Sequence, residues 1–220
     1  MKLEKITNEV RRRYDDACGT AHGLELIGER WALLVVRELM LGPRRFGDLR
    51  ASLPGLSANV LTQRLEQLEA AGVVVRRKLP PPASVQVYDL TDWGREAEPV
   101  IRELGRWAAR SPGHDPTLPL SAVSMMLSFR TMFDAAKAGA ARMTLGFRFG
   151  AERFVVTVAD GTLTVRRTET DGAEVVIAAA PEGVAAAVYA GAGMDDLAIE
   201  GRREVFDRFT GFFELPPKAG

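Results

Sequence analysis

An ordered series of patterns between residues 24 and 90 constrains the fold more than any other feature of the chain. Leu24–Leu41 repeats apolar residues at helical spacing and stops at Gly42-Pro43, because proline cannot continue a helix. A shorter helix is predicted at about Arg45–Leu53, and Pro54-Gly55 forms the turn after it. These patterns predict two helices joined by a tight turn.

The next segment predicts a third helix and a hairpin. The helix covers about Ser57–Ala71, with Ser57 as its N-cap, and Gly72 ends it. Val73–Lys78 and Val85–Leu90 are β-prone runs around a loop that contains three consecutive prolines. The order helix, helix, helix, hairpin is that of a winged helix-turn-helix, a fold that places one helix in the DNA major groove.

The polar side chains of this region have the chemistry of DNA contact. Asn59 and Gln63 carry amides that pair bidentately with adenine, and arginines at the turn and on the wing reach phosphates. The predicted DNA-contacting residues are Arg44, Arg45, Ser57, Asn59, Thr62, Gln63, Arg64, Gln67, Arg76, Arg77 and Lys78. An exposed helix is also polar simply because water solvates it. The prediction therefore depends on the polar face, the basic wing and the element order together.

Charge and composition exclude several other classes of protein. The chain has 29 basic and 29 acidic side chains, but residues 1–110 carry 18 and 15 of them, a balance of +3 that suits a nucleic-acid partner. One cysteine excludes an intramolecular disulfide, and no histidine stands where a catalytic base or zinc ligand is expected. We therefore predict no enzymatic activity, no metal and no cofactor. The charged start and the absence of a long apolar run predict a cytoplasmic protein.

Three stretches within residues 14–110 resemble the HxlR-type family of bacterial winged helix-turn-helix regulators. They are CGTAHGLELIGERW, LLVVRELMLGPRRFGDLRASLPGLSANVLTQRLEQLEAAGVV and VYDLTDWGRE. The family often has Cys-Pro where this chain has Cys18-Gly19. The resemblance implies a homodimer that binds a pseudo-palindromic operator.

The helix predicted from the Thr91 cap to about Arg110 supports the dimer independently. It carries one apolar stripe, formed by Trp93, Ala97, Val100, Ile101, Leu104 and Trp107. A single small winged domain has little core left to cover this stripe, so a self-complementary two-fold interface is one expectation. Packing of the stripe against the rest of the chain is the other.

Cys18 is a candidate redox sensor. The resemblance implies this role, because several family members sense oxidants or electrophiles through a cysteine near this position. Arg11–Arg13 and His22 favour a lower thiol pKa, whereas Asp15 and Asp16 oppose it. The alternative is a buried core cysteine.

The second half predicts a smaller α+β domain at residues 120–220, after a Pro/Gly-rich linker at residues 111–119. A helix is predicted at Ser121–Ala138, a second helix opens at Pro181, and the last covers Gly201–Phe213. The predicted strands are Met143–Phe149, Arg153–Ala159, Leu163–Thr168, Glu174–Ala180 and Leu197–Glu200. Asp160-Gly161 and Asp171-Gly172 both have hairpin chemistry, so the sheet is expected to be mostly antiparallel.

The stretches VTVADGTLTV, EVVIAAAPEGVAAAV and DDLAIEGRREVFDRF resemble the sterol-carrier-protein-2-like fold. The resemblance implies an apolar cavity that takes a small hydrophobic ligand. Its predicted lining is Met126, Phe133, Phe147, Phe149, Phe154, Tyr189, Phe206, Phe209 and Phe213, which are also ordinary core residue types. The sequence therefore predicts a regulator with a ligand-sensing second domain. The alternatives are a domain that only extends the dimer or binds another protein, with regulation through Cys18, and, last, an enzyme acting on a hydrophobic substrate.

Overall fold

The first domain contains the helices and hairpin of a winged helix-turn-helix, in the predicted order. A computed structural model describes residues 14–194 and 197–220 of the chain. The elements of this domain are α1 Gly19–Ile27, α2 Ala32–Leu39, α3 Phe46–Ser52, α4 Ala58–Ala70, β1 Val74–Lys78, β2 Gln86–Leu90, α5 Asp92–Arg95 and α6 Glu98–Ala109. β1 and β2 pair antiparallel and form the wing.

The predicted single helix Leu24–Leu41 is wrong, since α1 and α2 are separate helices. Helix α1 ends at Ile27, and a β-carbon on its C-cap residue Gly28 would lie 2.4 Å from the Leu24 carbonyl oxygen. Trp31 then has a φ of 77°, in the left-handed region that a continuing helix excludes. The predicted helix up to Arg110 is likewise divided, into α5 and α6.

Side-chain caps start two helices of this domain as the sequence predicts. The Ser57 hydroxyl accepts a hydrogen bond from the Val60 amide at 3.3 Å, at the start of α4. The Thr91 hydroxyl accepts one from the Gly94 amide at 2.9 Å, at the start of α5. A β-carbon on Gly94 would lie 2.2 Å from the Val73 carbonyl oxygen, so only glycine lets α5 approach the wing this closely.

The second domain is a mixed sheet covered by helices. Its elements are α7 Ala122–Met132, α8 Ala135–Ala138, β3 Met143–Phe149, β4 Glu152–Ala159, β5 Thr162–Arg166, β6 Val175–Ala178, α9 Pro181–Tyr189, β7 Ala198–Gly201 and α10 Arg203–Thr210. The strand order is β5-β4-β3-β6-β7. The predicted helix Ser121–Ala138 is divided at Phe133, whose backbone is extended.

One of the two predicted hairpins of this sheet is confirmed and the other is wrong. At Asp160-Gly161 both residues have positive φ, 52° and 69°, and β4 pairs antiparallel with β5 across this turn. After Asp171-Gly172 the chain does not return along β5. Instead β6 lies beside β3 and pairs with it in parallel. The other pairings of the sheet, β3 with β4 and β6 with β7, are antiparallel.

The domains meet around the carboxylate of Glu38 on α2, which is fully buried. Its Oε1 accepts hydrogen bonds from Arg37 Nη2 at 2.8 Å and from the Ser121 hydroxyl at 2.6 Å. Its Oε2 accepts one from Arg44 Nη1 at 3.3 Å. Arg44 also donates to Glu152 Oε1 on β4 at 3.0 Å. This network joins the core of the first domain to the N-terminus of α7 and to the sheet.

We expect Glu38→Ala to lower the free energy of unfolding by about 3–5 kcal/mol, because it leaves the buried Arg44 guanidinium without one of its two carboxylate partners. Urea denaturation of the full chain measures the change. Glu66→Ala, an exposed position on α4, is the control and is expected to change stability by less than about 0.5 kcal/mol. Equal stability of the two variants would show that the network does not hold the domains together.

Candidate nucleic-acid interface

Helix α4 buries one face and exposes the other, as a helix that enters a DNA groove requires. Leu61, Leu65 and Leu68 point into the core and are at most 1% exposed. Asn59, Thr62 and Gln63 lie on the opposite, exposed face. The polar residues predicted to contact bases are therefore presented together to solvent. Gln67 is half-buried, and its side chain accepts a hydrogen bond from Arg64.

The wing places its basic residues on β1, where Arg76, Arg77 and Lys78 are all exposed. Arg76 Nη2 lies 3.1 Å from Glu69 Oε2, and the Arg76 guanidinium lies over the Tyr88 ring at 5.9 Å from its centroid. The hydrogen bond that Arg76 donates to Glu69 raises the pKa of Arg76 above its usual range. The three basic residues and Glu69 border a concavity of about 500 Å³ between the wing and α4.

Arg77 has a structural partner as well as an exposed position. Its guanidinium pairs with the Asp89 carboxylate, which is 3% exposed and also accepts a hydrogen bond from Arg95 Nη2 at 2.8 Å. Loss of Arg77 would therefore disturb the wing itself. Lys78, at the end of β1, is the cleaner test of a phosphate contact.

Two of the predicted DNA contacts are corrected by the structure. Arg44 is only 5% exposed and its guanidinium faces Glu38 and Glu152, so it cannot reach a phosphate in this arrangement. The Arg64 side chain contacts the segment before α2: its Nε donates to the Arg30 carbonyl oxygen at 3.1 Å, and its guanidinium pairs with Glu29. Both arginines are engaged in contacts within the protein instead. Arg45, which follows Arg44, is exposed at the start of α3.

Cys18 is exposed at the N-cap of α1, which contradicts the expectation of a buried core cysteine. The backbone amide of Ala21, followed by that of Thr20, lowers the pKa of the thiol. Arg11–Arg13, predicted to act in the same direction, lie outside the described residues. The position therefore combines access with a stabilised thiolate, the two conditions of thiol reactivity.

Helix α6 exposes an apolar stripe along its outer side. Val100 is 54%, Leu104 44% and Trp107 72% exposed, at spacings of four and three residues. Trp93 on α5 and Leu24 on α1 are exposed as well. The opposite side of α6 contacts α7, where Arg102 Nη2 donates to the Arg130 carbonyl oxygen at 2.5 Å. The contact with the second domain leaves this stripe uncovered.

The residues predicted to line an apolar ligand pocket lie in the interior of the second domain. Phe147, Phe154, Phe206 and Phe209 are fully buried, as is Met126. Their rings pack against one another and against those of Phe129 and Phe213, with centroid separations as short as 4.7 Å for Phe209 and Phe213. The Tyr189 hydroxyl lies 2.7 Å from that of Ser128, and burial raises the pKa of Tyr189. Phe133 is partly buried at the same cluster.

A large cleft lies between the two domains, and the sequence did not indicate it. Its volume is about 1180 Å³, and its walls include Trp31 and Leu53 from the first domain and Leu120 and Phe149 from the second. Arg44, Glu152 and Arg167 line it too. The one local signal was the pair Arg37-Glu38 within the apolar run of α2, because charges on a buried helix face need partners.

Metal and membrane sites are not found in the part of the chain that the structure describes. Over residues 14–194 and 197–220, no three His, Cys, Asp or Glu side chains are grouped so that they could hold a metal ion. Within the same residues, no helix has the length and apolar character needed to cross a membrane.

Comparison with known proteins places the first domain in a family. The model of the HxlR-like helix-turn-helix matches residues 26–115. The chain is 39% identical over 85 residues to the HTH-type transcriptional regulator YvaP of Bacillus subtilis, covering 39% of this chain and 79% of YvaP. It is 36% identical over 83 residues to the HTH-type transcriptional regulator YodB of the same organism, covering 38% of this chain and 74% of YodB.

A solved structure of the reduced form of YodB from B. subtilis aligns with 46% of this chain and 100% of its own, at 31% identity and a TM-score of 0.41. Both YvaP and YodB are named as HTH-type transcriptional regulators. The chain belongs to the HxlR-like helix-turn-helix family of transcriptional regulators.

Proposed function

We propose that the protein is a homodimeric transcriptional regulator that binds a pseudo-palindromic DNA operator and responds to a small molecule. The observation that carries the DNA-binding part is the exposed polar face of α4 beside the basic strand β1. Asn59 and Gln63 would contact base edges in the major groove, and Thr62 would support them. Arg45, Arg76 and Lys78 would contact phosphates on either side.

The weak net charge favours binding by two copies together. Residues 1–110 have a balance of only +3, and several of their arginines are engaged in ion pairs within the protein. Because each neutralised phosphate adds to affinity, two domains presented one helical turn apart double the number of contacts. A dimer therefore makes twice as many phosphate contacts as a single domain.

We expect Gln63→Ala to weaken binding to the operator by about 1–3 kcal/mol and to leave binding to random duplex nearly unchanged, because an amide reads base edges. Lys78→Ala is the matched control for a phosphate contact. It should weaken both DNAs and reduce the slope of log affinity against log salt by roughly 1. Fluorescence anisotropy with DNA from upstream of the gene measures both. Equal losses on both DNAs for Gln63→Ala would remove it from the base-reading set.

The dimer interface that we propose is the exposed stripe of α6 together with α1. Helix α1 has no buried residue, and its Leu24 is 48% exposed. Exposed Trp, Leu and Val side chains aligned on one helix are unusual on a free surface, and pairing about a two-fold axis covers the same patch on both copies.

We expect Leu104→Glu to convert the dimer to a monomer, because it places two carboxylates in an apolar contact. Analytical ultracentrifugation of the full chain at micromolar concentration measures the mass. Glu103→Ala, the neighbouring position off the stripe, should leave the dimer intact. A wild-type protein that sediments as a monomer would contradict the interface.

For the second domain we propose ligand sensing of the kind implied by its resemblance to the sterol-carrier-protein-2-like fold. What supports a sensor is its tight connection to the first domain, through Glu38 with Ser121 and through Arg44 with Glu152. A ligand that prefers one arrangement of the two domains would change operator affinity by its difference in binding energy, typically about 1–3 kcal/mol. A domain that only extends the dimer or binds another protein is the alternative.

Regulation through Cys18 is the second candidate, favoured by the exposed thiol and its lowered pKa. The thiolate is the reactive form, so oxidation or alkylation at the start of α1 would act close to the proposed dimer contact.

We expect the alkylation rate of Cys18 by iodoacetamide to reach half its maximum at a lower pH in the folded protein than in the same protein unfolded in urea. The sign follows from the pKa, because a lowered thiol pKa in the folded state populates the thiolate at lower pH. Mass spectrometry of quenched samples measures the rate. Alkylation should then change operator affinity in the wild type and leave Cys18→Ser unaffected. A response that persists in Cys18→Ser would exclude thiol control.

A further inference from the structure

The cleft between the domains has the mixed lining of a small-molecule site. Its volume of about 1180 Å³ exceeds that of a drug-sized ligand. Trp31, Leu53, Leu120 and Phe149 form apolar wall. The lining also carries charged side chains of both signs. The arginines are Arg37, Arg44, Arg153 and Arg167, and the carboxylates are Asp48, Glu152 and Glu169. Cations from both domains therefore converge on one space that is also apolar.

Arg167 lines this cleft and is ion-paired there with Glu152. The residue follows β5, and its guanidinium lies over the Phe154 ring at 5.3 Å from the centroid. Its Nε and Nη2 are shielded from solvent and make no hydrogen bond within the described residues, although Nη2 lies 3.1 Å from Glu152 Oε2. The two N–H groups of this edge point the same way, which is the geometry that takes both oxygens of a carboxylate.

Arg44 adds a second shielded donor. Its Nε makes no hydrogen bond within the same residues, and the side chain is 5% exposed. Burial, followed by the charge of Arg44, lowers the pKa of Arg167. Two guanidinium groups thus share Glu152 between them. Because buried donors are almost always paired in folded proteins, a carboxylate that replaces Glu152 on Arg167 would also pair with the Nε of Arg167.

We propose that the cleft is the effector site and binds a small carboxylate with an apolar, preferably aromatic, body. This inference rests on the proposed function and gives its sensor a site and a ligand class. The carboxylate pairs with the Nε and Nη2 edge of Arg167, and the apolar body lies against Trp31 and Phe149. The aromatic cluster inside the second domain serves as core.

The same residues connect the cleft to the wing. The backbone of Arg44 pairs with Tyr88 on β2 in both directions, at 2.9 Å and 2.8 Å, and its side chain pairs with Glu152 on the second domain. A ligand carboxylate that competes with Glu152 changes the charge balance around Arg44. The contact of Arg44 with the wing and its contact with the second domain then change together. If ligand binding changes DNA affinity by some factor, linkage requires that DNA binding change ligand affinity by the same factor.

The test is calorimetric titration of the full chain with 2-naphthoate and, as the uncharged match, 2-naphthamide. We expect one naphthoate per chain and at least roughly tenfold weaker binding of the amide, because the charge-assisted pair is lost. Arg167→Gln should weaken the binding of 2-naphthoate by roughly tenfold and leave the binding of 2-naphthamide unchanged. Arg166→Gln, the exposed neighbour on β5, is the control and should bind both as the wild type does.

A steric variant covers the case in which Arg167→Gln does not fold. Ala51→Phe narrows the cleft from α3 with every charge retained, and it should weaken naphthoate by a similar factor. Equal affinity for naphthoate and naphthamide, absence of naphthoate binding at millimolar concentration, or full affinity in either cleft variant would overturn the site.

Operator binding, measured on the same samples without ligand, separates the two proposals. DNA binding without naphthoate binding rejects the cleft site and leaves the regulator intact. The opposite outcome is naphthoate binding that depends on Arg167 while the protein binds operator and random DNA equally. That outcome would retain the cleft site and reject the proposed function.

Discussion

The carboxylate of Glu38 lies without solvent contact at the point where the two domains meet. A buried charge is tolerated only when hydrogen bonds and opposite charges replace the water it has lost. Arg37, Arg44 and Ser121 supply them, and each comes from a different part of the chain: α2 itself, the turn before α3, and the cap of α7. The position of each part is therefore constrained by one group. The domains are held in a defined arrangement, although a Pro/Gly-rich segment joins them.

Ion pairs within the protein decide which arginines are available for DNA. Arg44 and Arg64 stand in sequence where phosphate contacts are expected, yet both complete ion pairs within the protein. The exposed polar face of α4 and the end of β1 remain as the candidate DNA-contacting surface. Specificity would therefore depend more on amides and on the spacing of two copies than on charge. This dependence on amides and spacing agrees with the small net charge of residues 1–110, which is only +3.

Local chemistry predicted local structure well. The hydroxyls of Ser57 and Thr91 cap helices, and Asp160-Gly161 makes a hairpin, because each outcome depends on residues within a few positions. Three predicted helices are nevertheless divided, at Gly28–Trp31, between α5 and α6, and at Phe133. The other failures are non-local. Glu152 pairs with Arg44 from 108 residues away, and β6 joins β3 across an intervening hairpin. No periodicity encodes such pairings. The HxlR-like relatives cover only the first domain, so they do not supply them either.

Helix α6 connects the cleft to the proposed dimer because its two sides have different partners. On one side Glu98 pairs with Arg130 at 3.0 Å and Arg106 donates to the Thr131 carbonyl oxygen, both on α7. On the other side the stripe of Val100, Leu104 and Trp107 is open to a second copy. Because the backbone hydrogen bonds of a helix keep its two sides in a fixed relation, a shift of α7 relative to the winged domain would move both sides of α6 together. Ligand in the cleft would then change the separation of the two α4 helices without touching DNA. The physical basis of control would be this shared helix, with the Glu38 network setting how far the second domain can move.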